Sequence, residues 1–234
     1  MRIPLGPEPA PVQSVADVIA RMQQLSATMP EGDGVRAFNE MYRVTTEHVA
    51  SAIDASQFAD PEFMTRLDVH FANLYLVALS QHDAGSATAP RSWRALFDVR
   101  DQPGISQLQF AVAGMNAHIN YDLPRALVLT VHELGGALDP ARLADYTAVN
   151  HVLAQTQPIV QRELLTGPFA ALDAGLGDRD DQIALWGIAQ AREFAWTTAQ
   201  TLWAVRATVI EKPFTDKLDR FVELTSRLLL RAHP

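Results

Sequence analysis

The chain has 234 residues and a formal net charge of −8, and 48% of its residues are hydrophobic, which suffices for a buried core and excludes a chain disordered throughout. Its acidic balance, without a run of Lys or Arg, argues against nucleic acid and membrane surfaces as partners and leaves a small-molecule substrate or another protein. Because the chain has no cysteine and no apolar run long enough for a signal peptide or a membrane span, we expect a cytoplasmic protein without disulfides or thiolate chemistry.

The first twelve residues differ in composition from the rest of the chain. Residues 1–12 hold four prolines and no apolar period, which predicts an extended lead-in before a single helical domain over 13–234. From Ser14 onward apolar residues recur at spacings of three and four, so we expect an all-α fold, a bundle of about seven or eight helices around a buried central helix. The predicted helices span 14–29, 33–54, 61–83, 92–98, 105–122, 140–165, 179–208 and 213–231, and 126–131 is also assigned to helix because a lone strand would have no partner.

Prolines set several helix ends. Asp60-Pro61 and Asp139-Pro140 each place an N-cap acceptor before a residue whose missing N–H costs nothing in the first helical turn. Both pairs therefore predict helix starts. Pro124 disfavours α geometry at Leu123, so the helix over 105–122 is expected to end at or near Asp122.

The most informative segment runs from Gln109 to Pro124 and reads QFAVAGMNAHINYDLP. Four polar side chains stand at alternate positions in this apolar stretch. At about 100° per residue, Asn116 and Asn120 share one helix face, and His118 and Asp122 share the nearly opposite one. A helix with such apolar flanks is expected to be buried, and buried polar groups need partners or a ligand. Two interpretations stay open, a functional pocket and a hydrogen-bond network that holds the helices together.

The run from Phe110 to Pro124 resembles a family of bacterial, mostly actinobacterial, all-helical proteins classed as a domain of unknown function. GMNAHIN followed by DLP is the most specific part of the resemblance, which covers about residues 30–205. Such a family implies at most a role in bacterial small-molecule metabolism, and it brings no residue roles with it. The resemblance also extends to Leu67–Ala72, to Ser92–Phe97, and to the segment with Trp186, Arg192, Trp196 and Trp203.

The residue types of the motif suit acid–base chemistry. His118 can act as general acid or base, oriented by Asp122 one turn later. Asn116 and Asn120 can hydrogen-bond a substrate carbonyl or hydroxyl, or orient neighbouring helices. The first hypothesis is therefore an enzyme of bacterial small-molecule metabolism, such as a cyclase or lyase, with hydrolysis also open and no cofactor predicted.

Further side chains complete the predicted substrate-binding set. Asp68 and His70 lie on the predicted helix 61–83, and His70 can face the same interior as His118. Arg192 can hold an anionic group, or can instead pair with Asp122 or Asp145. The apolar wall of the pocket is assigned to Trp93, Trp196 and Trp203.

Two alternatives come from other classes of protein. A metal-dependent hydrolase would bind a divalent ion through His118, Asp122, His70 and Asp68, a mixed nitrogen and oxygen set. A non-enzymatic helical binding protein would hold an apolar ligand or a protein partner, with the polar motif purely structural. Zincins, serine hydrolases, P-loop NTPases and Rossmann enzymes are disfavoured because their motifs are missing. The oligomeric state stays open.

Overall fold

The computed structural model describes residues 10–166 and 178–232, without the side chains of 156–186. All regular secondary structure in this part of the chain is helical, which confirms the all-α prediction. None of the described helices is both long and apolar enough to cross a membrane. The helices are α1 (Val15–Thr28), α2 (Gly34–Asp54), α3 (Pro61–Asp83), α4 (Arg91–Phe97), α5 (Gln107–Ala117), a π-helical turn (His118–Asp122), α6 (Leu123–Leu134), α7 (Pro140–Thr166), α8 (Asp178–Val205) and α9 (Glu211–Leu229).

Local capping explains where several helices begin. The side chain of Ser14 accepts from the backbone N–H of Asp17 at the start of α1. Asp60 caps α3 in the same way, with Pro61 in the first turn as the sequence predicted. Ser106 forms a capping box at α5, because its hydroxyl and the side chain three residues later satisfy each other's backbone N–H groups.

The prediction that a helix ends at Asp122 is wrong. The α5 helix, the π-helical turn and α6 follow one another without a break, and we call this continuous helix the central rod. In the π-helical turn the N–H of Leu123 donates to the carbonyl of His118, five residues earlier. A proline ring normally crowds the carbonyl four residues before it and offers no N–H. The wider turn accommodates Pro124 without ending the helix.

The central rod contributes to two hydrophobic cores, to the first through α5 and to the second through α6. Gly114 allows the rod to approach α2 closely, because a Cβ at this position would overlap the ring of Phe38. Phe71 on α3 packs against both cores and thus lies where they meet. The first core includes Phe38, Tyr75, Trp93, Leu96 and Phe110, and the second includes Phe63, Leu127, Tyr146, Val149 and Trp196.

The predicted lead-in is described only at its end, since residues 1–9 lie outside the described part of the chain. Val12 is buried against the first core. Its backbone N–H donates to Oδ1 of Asn73 at 2.9 Å, and its carbonyl accepts from Nδ2 of Asn73 at 2.9 Å. One asparagine therefore anchors the segment that precedes α1.

Candidate active site

Asp122 is the centre of a buried network. Its side chain is fully buried, and its Oδ2 accepts from Trp93 Nε1 at 2.7 Å and from His118 Nδ1 at 3.1 Å. A guanidinium nitrogen of Arg125 lies 3.4 Å from Oδ1. Because a carboxylate only accepts, the hydrogen of the imidazole stays on Nδ1. The other ring nitrogen of His118, Nε2, is thereby left as an acceptor.

Aromatic rings enclose the imidazole of His118. The ring of Phe71 stacks on it with the centroids 3.4 Å apart and the planes 5° from parallel. The ring of Tyr42 meets it edge-on at 4.4 Å, and Phe38 lies at 5.6 Å. Burial lowers the pKa of His118, while the hydrogen bond and charge of Asp122 act in the opposite direction. The imidazole is therefore neutral at pH 7.

Four buried polar atoms on His118 and around Tyr42, whose ring meets the imidazole, form no hydrogen bond of good geometry among the described residues, and we call their residues the His118 cluster. They are Nε2 of His118, the hydroxyls of Tyr42 and Thr46, and Oδ2 of Asp68. Tyr42 and Thr46 share one face of α2, and Asp68 lies one turn before Phe71 on α3. Native proteins leave few buried polar groups unsatisfied. Their concentration here marks a place where a ligand could supply the missing partners.

Burial also changes the acidity of the other members of the His118 cluster. It raises the pKa of Asp68 to about 7, so that this carboxyl is about half protonated at neutral pH. The pKa of Tyr42 is raised well above its usual value, by burial first and by the charge of Asp68 second. The cluster therefore contains a neutral imidazole, a neutral phenol and a carboxyl group that titrates near pH 7.

Of the two asparagines of the motif, Asn116 binds α9 and Asn120 binds Asn116. Nδ2 of Asn116 donates to the carbonyl of Val222 at 3.1 Å and to the hydroxyl of Ser226 at 2.9 Å. Asn120 donates to Oδ1 of Asn116 at 2.9 Å. Of the two roles that the sequence allowed, these contacts match the orientation of a neighbouring helix.

His70 does not join His118, contrary to the sequence prediction. Its Nε2 lies 2.5 Å from Oε2 of Glu133, and Arg66 lies 2.5 Å from the other oxygen of that carboxylate. The four ligands of the metal hypothesis are therefore not brought together. Among the residues that the structure describes, no group of three or more His, Cys, Asp or Glu is arranged to hold a metal ion.

Arg192 lies in the second core, away from the His118 cluster. Its Nε donates to Oδ1 of Asn150 at 2.8 Å, and a terminal nitrogen donates to the carbonyl of Tyr146 at 2.6 Å. The guanidinium also lies 4.2 Å from the centre of the Tyr146 ring. The predicted pairing with Asp122 or Asp145 is therefore wrong. Asp145 instead accepts two backbone N–H groups at the start of α3.

The predicted tryptophan wall is not one surface. Trp93 belongs to the network around Asp122, whereas Trp196 packs against Tyr146 in the second core. Trp203 lies at the end of α8 beneath the guanidinium of Arg206. The side chain of Trp186 lies outside the described residues.

Sequence reasoning did not place Phe71, Tyr42 or Thr46 in the predicted site. A spacing of four residues links Phe38, Tyr42 and Thr46 along α2, and this is the signal that could have found that face. The signal is weak, since the same spacing is typical of any helix that faces a core. No spacing pattern in the sequence pointed to Phe71 as part of the site.

Fold and site together define an all-α bundle with a His–Asp–Trp network buried at its centre. The chain belongs to the Family of unknown function (DUF5995), whose model matches residues 15–232. This finding agrees with the resemblance seen in the sequence, and the family carries no assigned activity. Comparison with curated proteins gives no match, and comparison with solved structures gives none either.

Proposed function

We propose that this chain is an enzyme that acts on a small molecule by acid–base catalysis, with His118 as the base. One observation carries the proposal: Nδ1 of His118 is bound to Asp122, while Nε2 is buried and has no partner in the part of the chain that the structure describes. A histidine with a purely structural role is expected to satisfy both ring nitrogens. A neutral imidazole oriented by a carboxylate is a common form of the general base in enzymes.

The His118 cluster also offers a proton donor. Nε2 of His118 would take a proton from a substrate C–H or O–H bond, and Asp122 would stabilise the imidazolium that forms. Asp68, which is about half protonated near pH 7, would return a proton to a leaving oxygen. In an elimination, the C–H bond breaks, a C=C bond forms and the C–O bond breaks, with one proton taken up and one given out. This balance suits a lyase, and a cyclase can use the same pair.

Substrate access requires a movement of Phe71. This ring is partly exposed and stacks on the imidazole, while His118 itself is only 2% exposed. A change of rotamer at Phe71 would uncover one face of His118. Rotamer changes of partly exposed side chains are fast compared with turnover in typical enzymes.

The His118→Asn variant separates catalysis from folding. The amide nitrogen of asparagine can replace Nδ1 as donor to Asp122, whereas nothing replaces Nε2. Wild type, His118→Asn and the exposed control His132→Asn are each incubated with a bacterial metabolite extract, and changes are followed by mass spectrometry. We expect wild type and the control to convert the same metabolite and His118→Asn to convert it at least about a hundredfold more slowly. Equal conversion by all three proteins would refute the role of His118.

Chemical modification tests whether small molecules reach this nitrogen. Diethyl pyrocarbonate modifies accessible neutral imidazoles, and peptide mass spectrometry locates the modified residue. We expect modification of His118 to be slower than that of exposed His132 and to accelerate in the Phe71→Ala variant. If His118 stays unmodified in both proteins while His132 reacts, the site is sealed and the proposal fails.

A second candidate is a non-enzymatic helical binding protein, in which the motif only holds the bundle together. The burial of His118 and the attachment of Asn116 to α9 favour it. Under this function no metabolite of the extract is converted by any of the three proteins. The same incubation therefore decides between the two candidates.

A further inference from the structure

A cleft of about 480 Å³ opens beside the central rod, and none of the residues that line it belongs to the His118 cluster. It lies between α3, α4, α6 and α9. Tyr121 and Arg125 of the rod form its inner wall, and Arg125 is also the residue that approaches Asp122. The cleft is therefore adjacent to the buried network and distinct from it.

Cationic side chains dominate this cleft although the chain as a whole carries a formal charge of −8. Four of them, Arg91, Arg94, Arg125 and Lys212, line it together with only two carboxylates. An adjoining cleft of about 350 Å³ adds Lys217 and Arg220. The sequence has just two lysines, and both line these clefts.

Both carboxylates of the cleft are already engaged. Asp219 accepts the backbone N–H groups of Arg91 at 2.9 Å and of residue 92 at 2.9 Å. Asp216 lies 2.6 Å from the ammonium group of Lys212. Among the described residues, no carboxylate lies within ion-pair distance of the guanidinium groups of Arg91 or Arg94. These two groups are free to bind an anion.

A smaller part of the lining forms an apolar wall. It consists of the aliphatic side chains of Leu74, Val77 and Ala78 on α3, together with the ring of Tyr121. A planar guanidinium binds phosphate and carboxylate groups through paired hydrogen bonds, and an apolar wall binds the remainder of such a molecule. We propose that this cleft binds a small organic anion with a phosphate or carboxylate head and an apolar body.

This inference does not rest on the catalytic role of His118. Isothermal titration calorimetry of the full chain with phenyl phosphate, benzoate and inorganic phosphate tests it. The first two probes share an apolar ring and differ in the anionic head, and the third lacks the ring. We expect phenyl phosphate or benzoate to bind with a Kd below about 1 mM, and phenyl phosphate to bind more tightly than inorganic phosphate.

Variants locate the binding in the cleft. Arg94→Gln is expected to weaken the affinity at least about tenfold, because it removes a charged donor. Arg91→Gln, at an exposed position, provides a second measurement of the affinity if Arg94→Gln folds poorly. Arg21→Gln on α1 removes an arginine that does not line the cleft, and His118→Asn removes the proposed base; both should bind as wild type does.

Any one of three results would overturn the proposal. One is that neither ring-bearing probe binds below about 5 mM, even at low ionic strength, where electrostatic attraction is strongest. Another is that Arg94→Gln and Arg91→Gln bind as tightly as Arg21→Gln, which would place the bound anion elsewhere. If inorganic phosphate binds as tightly as phenyl phosphate, the apolar wall has no part in recognition and the proposed class of ligand is wrong.

Discussion

Two substitutions of Asp122 are expected to differ sharply in their effect on stability. Both Trp93 and His118 donate to the same carboxylate oxygen, Oδ2. In Asp122→Asn the amide oxygen can occupy that position and keep both hydrogen bonds, whereas the amide nitrogen then faces Arg125 and cannot accept from it. In Asp122→Ala both donors lose their acceptor in a site that solvent does not reach.

The magnitudes follow from the number of unsatisfied groups. A buried donor without a partner costs about 1–3 kcal/mol, so two of them lower the free energy of unfolding of Asp122→Ala by about 2–6 kcal/mol. Asp122→Asn loses the extra strength that the charge gives to these two hydrogen bonds, together with a weaker contact to the partly exposed guanidinium of Arg125, about 1–2 kcal/mol in total. Urea denaturation with unchanged m values measures both losses.

Asp101→Ala serves as the control, because Asp101 is exposed and has no partner among the described residues. Its unfolding midpoint should match that of wild type. Equal losses for Asp122→Ala and Asp122→Asn would show that Oδ2 does not accept both hydrogen bonds. A loss below about 1 kcal/mol for Asp122→Ala would refute the buried network altogether.

Three further predictions concern the surroundings of the network. Burial raises the pKa of Asp68 from 3.8 to about 7, so the native state holds this proton more tightly than the unfolded state. The free energy of unfolding therefore falls as pH rises from about 4 to 7, by at most about 1.4 kcal/mol per pH unit. Asp68→Asn should therefore raise Tm at pH 8 and change it little at pH 4, and a shift that is the same at both would contradict this. Asn116→Ala should lower the free energy of unfolding by about 1–3 kcal/mol and speed hydrogen exchange in α9, because two acceptors on α9 lose their donor. Unchanged hydrogen exchange would rule out the attachment of α9 through Asn116. Gly114→Ala should lower the free energy of unfolding, measured by urea denaturation, by about 1–3 kcal/mol through overlap with Phe38. Gly187→Ala, where no described atom lies within 4 Å of the added Cβ, should be neutral or stabilising. A stable Gly114→Ala protein would mean that α2 and the rod are not in close contact.

The sequence predicted correctly those features that depend on a single helix. Apolar spacing predicted the helices, and Asp60-Pro61 predicted the start of α3, because capping and periodicity involve only neighbours along the chain. The i, i+4 spacing also predicted that His118 and Asp122 would contact each other. The helix end predicted from Pro124 was wrong, because a π-helical turn accommodates a proline that a regular α-helix would not.

By itself, then, the sequence determined the fold class, most helix ends and the pair at the centre of the motif. Only the tertiary structure decided what faces that pair. In the tertiary structure, Trp93 is the second donor to Asp122, Tyr42 and Asp68 belong to the His118 cluster, and Arg192 lies in the other core. The physical reason is that helical periodicity tells which residues share a face, whereas the partner of that face depends on how separate helices pack.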